Sequence, residues 1–315
     1  MSDLRIIFYG TPHFAVTTLK SLIDNHKNVV AVVTAPDKPA GRGRSLKQSA
    51  VKEYALAQGL KILQPTNLKS EEFQSNLKDL QPDLQIVVAF RMLPESVWRL
   101  PKKGTFNLHA SLLPQYRGAA PINWAIINGE TKTGVTTFFI DDKIDTGEII
   151  LQREVIINPQ HNAGELHDLL MNSGSQLVLD TVELIEKNGV KPFTQATKEP
   201  LKTAYKLHHD NTKIDWNKPV DQIHNLVRGL SPYPVAWCYL ENGGEEMKVK
   251  IFKTTKEKIK HQDPPGMIFS TKKELKVAAK DGYIGIKEIQ LPGKKNMHTK
   301  DLLNGFNFEA NSKMR

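Results

Sequence analysis

The chain has 315 residues, of which 39% are hydrophobic and 24% charged, a composition typical of a globular protein with more than one domain. No charged start followed by an apolar stretch is present, and no apolar run reaches the roughly 18–20 residues that span a bilayer. We therefore expect a cytoplasmic protein without a membrane contact. The single cysteine, Cys238, excludes an intrachain disulfide.

The net charge of +9 is unevenly distributed along the chain. Residues 1–190 contain 20 Lys/Arg and 20 Asp/Glu, whereas the last 125 residues contain 23 and 14, which accounts for the whole excess. This distribution suggests that the neutral first part carries out the chemistry and that the basic last part binds a polyanion. A lysine-rich surface that only maintains solubility is the alternative.

Short apolar runs and helical patterns alternate over the first 190 residues. The apolar runs predict buried strands over 4–10, 28–35, 61–64, 84–90, 104–110, 133–140 and 149–157. Apolar side chains at helical spacing predict helices over 13–24, 49–58, 70–79 and 164–187. This alternation predicts an α/β fold, with a Rossmann-like, mostly parallel sheet that helices cover on both faces.

The pattern changes after residue 190. Residues 191–206 are polar and contain two prolines, which indicates a linker. A predicted helix over 220–230 is followed by short alternating strands interrupted by Gly, Pro and Asp. Such strands with a basic surface are typical of a small OB-like β-barrel that binds nucleic acid. We therefore expect a catalytic domain over 1–190, a linker over 191–206 and a β-barrel domain over 207–315.

Asn107 and His109 lie two residues apart on a predicted strand, so their side chains point to the same face. The strand ends there, and ligands of open α/β sheets bind at the carboxyl ends of strands. An amide and an imidazole at such an edge can stabilise an oxyanion. Asp145, after the next strong strand, is placed to stabilise a charged His109 and to help accept a proton. Considered alone, an ordinary strand and an ordinary turn explain these residues as well.

Other chemistries lack their motifs. Gly10-Thr11-Pro12 follows the first strand but matches neither glycine-rich pattern that holds dinucleotides or nucleoside triphosphates. The histidines are scattered without metal-ligand spacing, and Ser111 is not part of a GxSxG elbow. We therefore expect no nucleotide cofactor and no metal.

The segment PDKPAGRGRSLK (36–47) is predicted to be a loop with four cations separated by glycines, namely Lys38, Arg42, Arg44 and Lys47. Such a flexible, cationic segment suits contact with phosphates or bases. A solvated surface loop is the alternative interpretation.

Several motifs resemble those of the methionyl-tRNA formyltransferases, a family of folate-dependent formyltransferases. FYGTPHFA (8–15) is similar to the family's first strand and turn, and NLHASLLP (107–114) to the signature of enzymes that use 10-formyltetrahydrofolate. YRGAAPI (116–122) looks like the tRNA-directed continuation, and PYPVAW (232–237) like the start of the C-terminal domain. The likeness extends over about residues 4–305.

This resemblance implies transfer of a formyl group from 10-formyltetrahydrofolate, a cosubstrate, to the amino group of methionine on initiator tRNA. Catalytic roles then fall on Asn107, His109 and Asp145. Folate contacts fall on Phe90, Arg91, Ser111, Leu112, Leu113 and Pro114, and contacts with the tRNA acceptor stem on Lys38, Arg42, Arg44 and Lys47. The stretch 89–94 departs from the family, because it is one residue shorter than usual and has Arg91 in place of a glycine.

Two other functions stay open. A formyltransferase that acts on a small molecule, or a formyl-folate hydrolase, would share the three catalytic residues but would need neither the basic segment nor a basic barrel. A non-catalytic RNA-binding protein would not need Asn107, His109 and Asp145 together. We expect a monomer, because the sequence shows no coiled-coil or other association motif.

Overall fold

The computed structural model of the protein describes residues 4–40, 45–196 and 199–315. The chain divides into two compact units, and each unit is assembled from separate segments. The first consists of Met1–Arg117, Thr133–Val155 and His167–Thr203, and the second of Gly118–Lys132, Ile156–Leu166 and Ala204–Arg315.

The described residues form strands and helices that follow the predicted alternation closely. The strands are β1 Ile6–Gly10, β2 Val29–Val33, β3 Lys38–Ala40, β4 Ser45–Lys47, β5 Ile62–Leu63, β6 Leu84–Val88, β7 Thr105–His109, β8 Arg117–Gly118, β9 Lys132–Phe139, β10 Ile149–Ile156, β11 Thr203–Ala204, β12 Ala236–Asn242, β13 Glu245–Lys258, β14 Ile268–Ser270, β15 Leu275–Ala279, β16 Gly282–Gln290, β17 Met297–His298 and β18 Lys313–Met314. The helices are α1 His13–Asp24, α2 Ala50–Ala57, α3 Glu71–Asp79, α4 Glu95–Trp98, α5 Pro121–Ile127, α6 Ala163–Glu186, α7 Val220–Leu230 and α8 Thr299–Leu303. A short 3-10 helix covers Asp210–Thr212.

The sheet of the first unit has the strand order β10-β9-β7-β6-β1-β2-β5. Strands β5, β2, β1, β6 and β7 run parallel, and β9 pairs antiparallel with β7. The central strands β1 and β6 are buried at every position, as expected for a sheet covered on both faces. The predicted Rossmann-like sheet is confirmed.

Helix α6 covers one face of the sheet at β7 and β9. A Cβ atom on Gly174 of α6 would lie 2.8 Å from the Leu108 side chain, so the helix approaches the strand closely because this residue is glycine. The hydroxyls of Thr137 and Thr181 are 2.8 Å apart across the same contact. Because side chains alternate along a strand, Asn107 and His109 point to the opposite face.

The second unit contains an antiparallel sheet with the order β14-β15-β16-β13-β12-β18, and β17 pairs with β16. Its two ends meet, since Met267, beside β14, bridges to Lys313 of β18 and the Met314 amide donates to the Gly266 carbonyl at 2.8 Å. Buried side chains of α7 contribute to the core of this near-closed barrel, including Ile223 and Val227. The predicted barrel is confirmed.

Two segments differ from their sequence-based descriptions, and helix α5 was not predicted at all. Residues 38–40 and 45–47, predicted as a loop, pair antiparallel as β3 and β4. Helix α5 has only seven residues, which is too short for a clear helical period. In the predicted linker, Phe193 bridges to Ile149, so this polar stretch pairs with the start of β10. The predicted domain boundaries at 190 and 207 stay a prediction.

Candidate active site

The carboxyl ends of three parallel strands meet at one edge of the first sheet. The chain runs from β1 to β2 and β5 on one side and then returns to add β6 and β7 on the other. Gly10 is in register with Val88, and Val88 with Leu108, so the three strands end at a similar level. An edge where the strand order reverses is the place at which open α/β sheets bind ligands. His109, the last residue of β7, lies at this edge.

The structure brings His109 and Asp145 together, as predicted. The imidazole Nδ1 is 3.7 Å from a carboxylate oxygen of Asp145, and the two side chains are only 7% and 15% exposed. This separation is longer than a hydrogen bond but within reach of a charge interaction. The other ring nitrogen, Nε2, lies 2.8 Å from the Tyr116 carbonyl oxygen. A carbonyl only accepts, so Nε2 carries a proton and Nδ1 is the nitrogen free to exchange one.

Asn107 lies half-buried on the same face of β7 as His109. Its cross-strand neighbours are Val87 of β6 and Phe138 of β9, both buried. The amide is therefore held on the interior of the sheet rather than on a loop. A hydrogen-bond donor fixed in this way needs little reorganisation when charge develops nearby.

The loop that carries Asp145 is anchored at several points. Asp145 adopts φ +56°, in the left-handed region that non-glycine residues rarely occupy. The Thr146 hydroxyl donates to both carboxylate oxygens of Asp141 at 2.8 and 2.9 Å. At Gly147 the loop passes so close to β9 that a Cβ atom would lie 1.7 Å from the Phe139 carbonyl oxygen. Uncommon backbone held by its surroundings in this way is a feature of functional sites.

Gln195, and the contact that Arg117 makes with it, were not predicted from the sequence. The Gln195 amide donates to the backbone carbonyls of Asp145 and Gly147 and accepts from Arg117. Gln195 lies in a polar stretch without a motif, and its spacing from Asp145 carries no periodic signal. The backbone bridge between Phe193 and Ile149 brings Gln195 close to the loop.

Residues 111–114 form a turn directly after β7. Ser111 is fully buried, and its hydroxyl donates to the Gln115 carbonyl at 2.6 Å. Leu113 is also buried, whereas Leu112 and Pro114 are half-exposed. The Gln152 amide donates to the Leu113 carbonyl at 2.9 Å. The side chains of Leu112 and Pro114 are thus the ones that this turn leaves accessible.

The segment around Phe90 and Arg91 borders a groove of about 870 Å³. Phe90 packs edge-on against the ring of Tyr9, with centroids 5.6 Å apart, and burial raises the pKa of the Tyr9 hydroxyl far above its usual range. Arg91 donates to the carbonyls of Pro65 and Thr66, so its guanidinium is tied to the groove wall. The groove is lined by Thr66, Asn67, Leu68, Lys69, Arg91, Met92, Leu93, Pro94, Glu95 and Ser96.

The basic segment is described at its two ends. Lys38 and Lys47 are both exposed and face each other in register across the ladder of β3 and β4. Like charges directly opposite each other are unfavourable, so the pair favours an anion close by. Arg42 and Arg44 lie outside the described residues.

Residues 4–40, 45–196 and 199–315 contain neither a cluster of metal ligands nor a membrane-spanning helix. Within them, no three His, Cys, Asp or Glu side chains form a group that could hold a metal ion. None of the helices in these ranges combines the length and apolar character needed to cross a membrane.

Comparison with known proteins identifies the class to which this fold and site belong. The formyl transferase family model matches residues 4–182, and the model of the formyl transferase C-terminal domain matches residues 206–307. The chain therefore belongs to the formyl transferase family.

Similar relatives carry a more specific name. A methionyl-tRNA formyltransferase of Flavobacterium johnsoniae is 59% identical over 314 residues, which cover 100% of both chains. One of Bacteroides thetaiotaomicron is 51% identical over 317 residues, covering 99% of this chain and 98% of the relative. A crystal structure of a sugar 3N-formyl transferase, with dTDP and 5-N-formyl-THF present, aligns with TM-score 0.66 at 21% identity over 93% of this chain and 99% of that one. This last likeness supports the fold.

Proposed function

We propose that the protein transfers the formyl group of 10-formyltetrahydrofolate to the free amino group of methionine on initiator tRNA. The observation that carries this proposal is the 59% identity with a methionyl-tRNA formyltransferase along the whole chain. The neighbouring side chains of His109 and Asp145, on the same sheet edge as Asn107, supply groups suited to acyl transfer.

The three polar residues divide the chemistry. Formyl transfer forms a bond from the methionyl nitrogen to the formyl carbon and breaks the bond from that carbon to N10 of the folate, which leaves as tetrahydrofolate and gains one proton as the amine loses one. Attack of the neutral amine first places negative charge on the formyl oxygen. The Asn107 amide donates a hydrogen bond to that oxygen. His109 stabilises or protonates the oxygen through Nδ1, because Nε2 keeps its proton toward the Tyr116 carbonyl. Asp145, 3.7 Å from Nδ1, stabilises the charged imidazole and helps to accept the proton that the amine loses.

The groove beside Arg91 fits a reduced folate in its chemistry. Met92 and Leu93 provide apolar surface, and Lys69 and Arg91 provide cations for the carboxylates of the glutamate end. The accessible side chains of Leu112 and Pro114 supply a further wall near the end of β7. The folate supplies the activated formyl group, and these residues bind and orient it.

The basic residues would bind the tRNA. On the barrel, Lys248 Nζ lies 4.0 Å from the centre of the Trp237 ring, and Lys213 Nζ lies 5.2 Å from that of Tyr239. Cation–π contacts restrict these lysines while their charges remain available to phosphates. Lys38 and Lys47, together with Arg42 and Arg44, would contact the acceptor stem and separate initiator from elongator tRNA.

The proposed reaction requires neither a metal ion nor a nucleotide cofactor. The formyl donor supplies the free energy, so no metal ion or nucleotide cofactor takes part. Enzyme that is treated with a chelator and then desalted should retain its activity when assayed with folded tRNA. The protein is proposed to act as a cytoplasmic monomer, because its tRNA substrate is cytoplasmic and its sequence shows no association motif.

The direct test uses the purified chain, 10-formyltetrahydrofolate and methionine-charged initiator tRNA, with elongator methionyl-tRNA in parallel. We expect rapid formation of N-formylmethionine on the initiator and little on the elongator. If formyl-folate is instead hydrolysed, or its formyl group is used on a small amine, the catalytic residues would remain assigned but the substrate would be wrong. No reaction at all would refute the proposal.

A further inference from the structure

The Gln195 side chain connects the loop of Asp145 to a separate part of the first unit. Its Nε2 lies 2.9 Å from the Asp145 carbonyl oxygen and 2.8 Å from that of Gly147. Its Oε1 accepts from Arg117, with distances of 3.1 Å to Nε and 2.8 Å to Nη2. All four hydrogen-bonding positions of this amide are therefore used. A half-buried amide that is fully satisfied in this way is fixed in place.

The partners also fix which way the amide points. Backbone carbonyls only accept hydrogen bonds and a guanidinium only donates them, so the NH₂ group must face the loop and the oxygen must face Arg117. A glutamate at position 195 would keep the partner Arg117. It would also place a carboxylate oxygen against two carbonyl oxygens. The site therefore distinguishes glutamine from glutamate although the two side chains have the same shape.

One of the two carbonyls that accept a hydrogen bond from Gln195 belongs to Asp145, the residue with a positive φ. At φ +56°, Asp145 is in the left-handed conformation, which residues with a Cβ atom rarely adopt because the Cβ atom crowds the backbone. The carboxylate direction depends on this backbone, because the side chain leaves from the same Cα atom. Loss of the hydrogen bonds from Gln195 would release the Asp145 carbonyl and let the backbone on both sides of the Asp145 Cα atom rotate, with φ moving toward a more common value. The carboxylate would then move away from His109 Nδ1.

Both partners of the His109 ring depend on one dipeptide. The Tyr116 carbonyl accepts the proton of Nε2, and Tyr116 itself adopts φ +60°. Its neighbour Arg117 holds Gln195, which in turn holds the Asp145 loop. Tyr116 and Arg117 thus set the ring on one side and the carboxylate on the other.

A purely structural role in attaching the stretch around residue 195 is already filled by other groups. Phe193 and Ile149 exchange two backbone hydrogen bonds, at 2.8 and 3.0 Å, two residues before Gln195. This bridge attaches the stretch to β10 without the Gln195 side chain. What the side chain adds is the pair of hydrogen bonds to the loop.

We propose that Gln195 is a positioning residue for formyl transfer, which holds the Asp145 loop in the conformation that places the carboxylate beside His109. This inference rests on the proposed function. It assigns Arg117 the supporting role of fixing the Gln195 amide.

The test compares Gln195→Glu with Gln58→Glu, which makes the same change at an exposed position of the first unit. Turnover with methionyl initiator tRNA should fall by about 10- to 100-fold in Gln195→Glu, because small displacements of a catalytic group have effects of this size. The KM for tRNA should stay within about twofold of the wild-type value, since the Gln195 side chain acts on the Asp145 loop through its hydrogen bonds to Asp145 and Gly147. Gln58→Glu should behave as wild type in both parameters.

A double-mutant cycle separates positioning from a general loss of structure. In an Asp145→Asn background, Gln195→Glu should cost almost nothing further, because the group it positions has already been disabled. Arg117→Lys, which keeps the charge but loses the two-pronged contact, should show a smaller loss of turnover with the same non-additivity. Arg117→Lys replaces Gln195→Glu in this cycle if Gln195→Glu does not fold.

Two results would overturn the inference. One is an unchanged turnover number in Gln195→Glu, and the other is a loss that multiplies fully with that of Asp145→Asn. A wild-type protein with no formyl transfer activity would instead contradict the proposed function, so the two failures can be told apart.

Discussion

The two units of the molecule present their polar groups in opposite ways. In the first unit, His109 is buried and Gln195 half-buried, and both side chains make hydrogen bonds to specific backbone carbonyls. In the barrel, the charges lie at the surface, where Lys276 pairs with Glu257 and Lys313 with Glu241. Buried and fully partnered groups are sensitive to a single atom, whereas exposed charges act mainly by their number and position. Substitutions should therefore have large effects at the first site and graded effects on the second surface.

The largest effect is expected for Asn107→Ala. Removal of one donor to a developing oxyanion typically lowers turnover by about 10²–10³-fold. The KM for tRNA should hardly change, because the amide contributes to the transition state rather than to tRNA binding. Steady-state kinetics with methionyl initiator tRNA check this. A near-normal turnover number would remove Asn107 from the mechanism.

Arg42→Ala tests the basic segment and should have the next largest effect. The loss of one charge-assisted contact with the acceptor stem corresponds to about a tenfold change in kcat/KM. We expect that loss with initiator tRNA only, so the preference for initiator over elongator should shrink. Lys78→Ala, which removes an exposed charge of the first unit outside the basic segment, is the matched control for charge. An unchanged preference in Arg42→Ala would exclude the segment from tRNA selection.

Single lysines on the barrel should have small effects on binding alone. Lys213→Ala is expected to raise the KM for tRNA by about two- to fivefold and to reduce the salt dependence of binding by about one phosphate contact. Turnover at saturating tRNA should not change. Lys276→Ala removes the same charge from a lysine that is paired with Glu257. Equal effects of the two variants on the KM for tRNA would show that the barrel binds tRNA through its total charge. The lysines near Trp237 and Tyr239 would then not form a specific contact with the tRNA.

The smallest expected effect is a pH dependence of the free energy of unfolding, which His224 of α7 causes in the second unit. Burial, with the nearby charges of Lys256 and Arg228, lowers the pKa of His224 from 6.5 to about 4. The unfolded chain therefore takes up a proton at this residue before the folded protein does, so the free energy of unfolding should fall as the pH drops from about 6.5 toward 4. Because His224 is partly exposed, we expect a loss of about 1 kcal/mol. Urea unfolding at pH 7.5, 6 and 5 measures this loss.

His224→Gln provides the control for that measurement. A side chain that does not titrate should remove this part of the pH dependence while leaving α7 in place. The contact with the Thr254 hydroxyl, 2.9 Å from His224 Nδ1 in the wild type, remains possible for the glutamine amide. The same pH dependence in wild type and variant would show that other groups cause it.

Sequence patterns were sufficient for the elements that follow one strong period. The apolar runs predicted β1, β2, β6 and β7 to within two residues at each end, and α6 was predicted to within one. The long stripe of leucines in α6 leaves little choice of face. The same reasoning placed Asn107 and His109 on one face of a strand, because the period of a strand is two.

What the sequence did not predict depends on contacts between distant segments. Gln195 reaches the Asp145 loop through one backbone bridge, which has no pattern of its own. The hairpin of β3 and β4 has only three residues in each strand, too few to show alternation. Asp145 itself was predicted from its place after a strong strand and from the family resemblance, whereas its positive φ depends on contacts that the sequence does not show.

The measurement that tests this division of work most directly is a single-turnover assay of formyl transfer at saturating initiator tRNA, repeated at low and high salt. If chemistry depends on the partnered residues of the first unit and affinity on exposed charge, the maximal single-turnover rate stays constant while kcat/KM falls steeply with salt. A maximal rate that falls with salt as steeply as kcat/KM would contradict the account, because charge contacts would then control the chemical step as well.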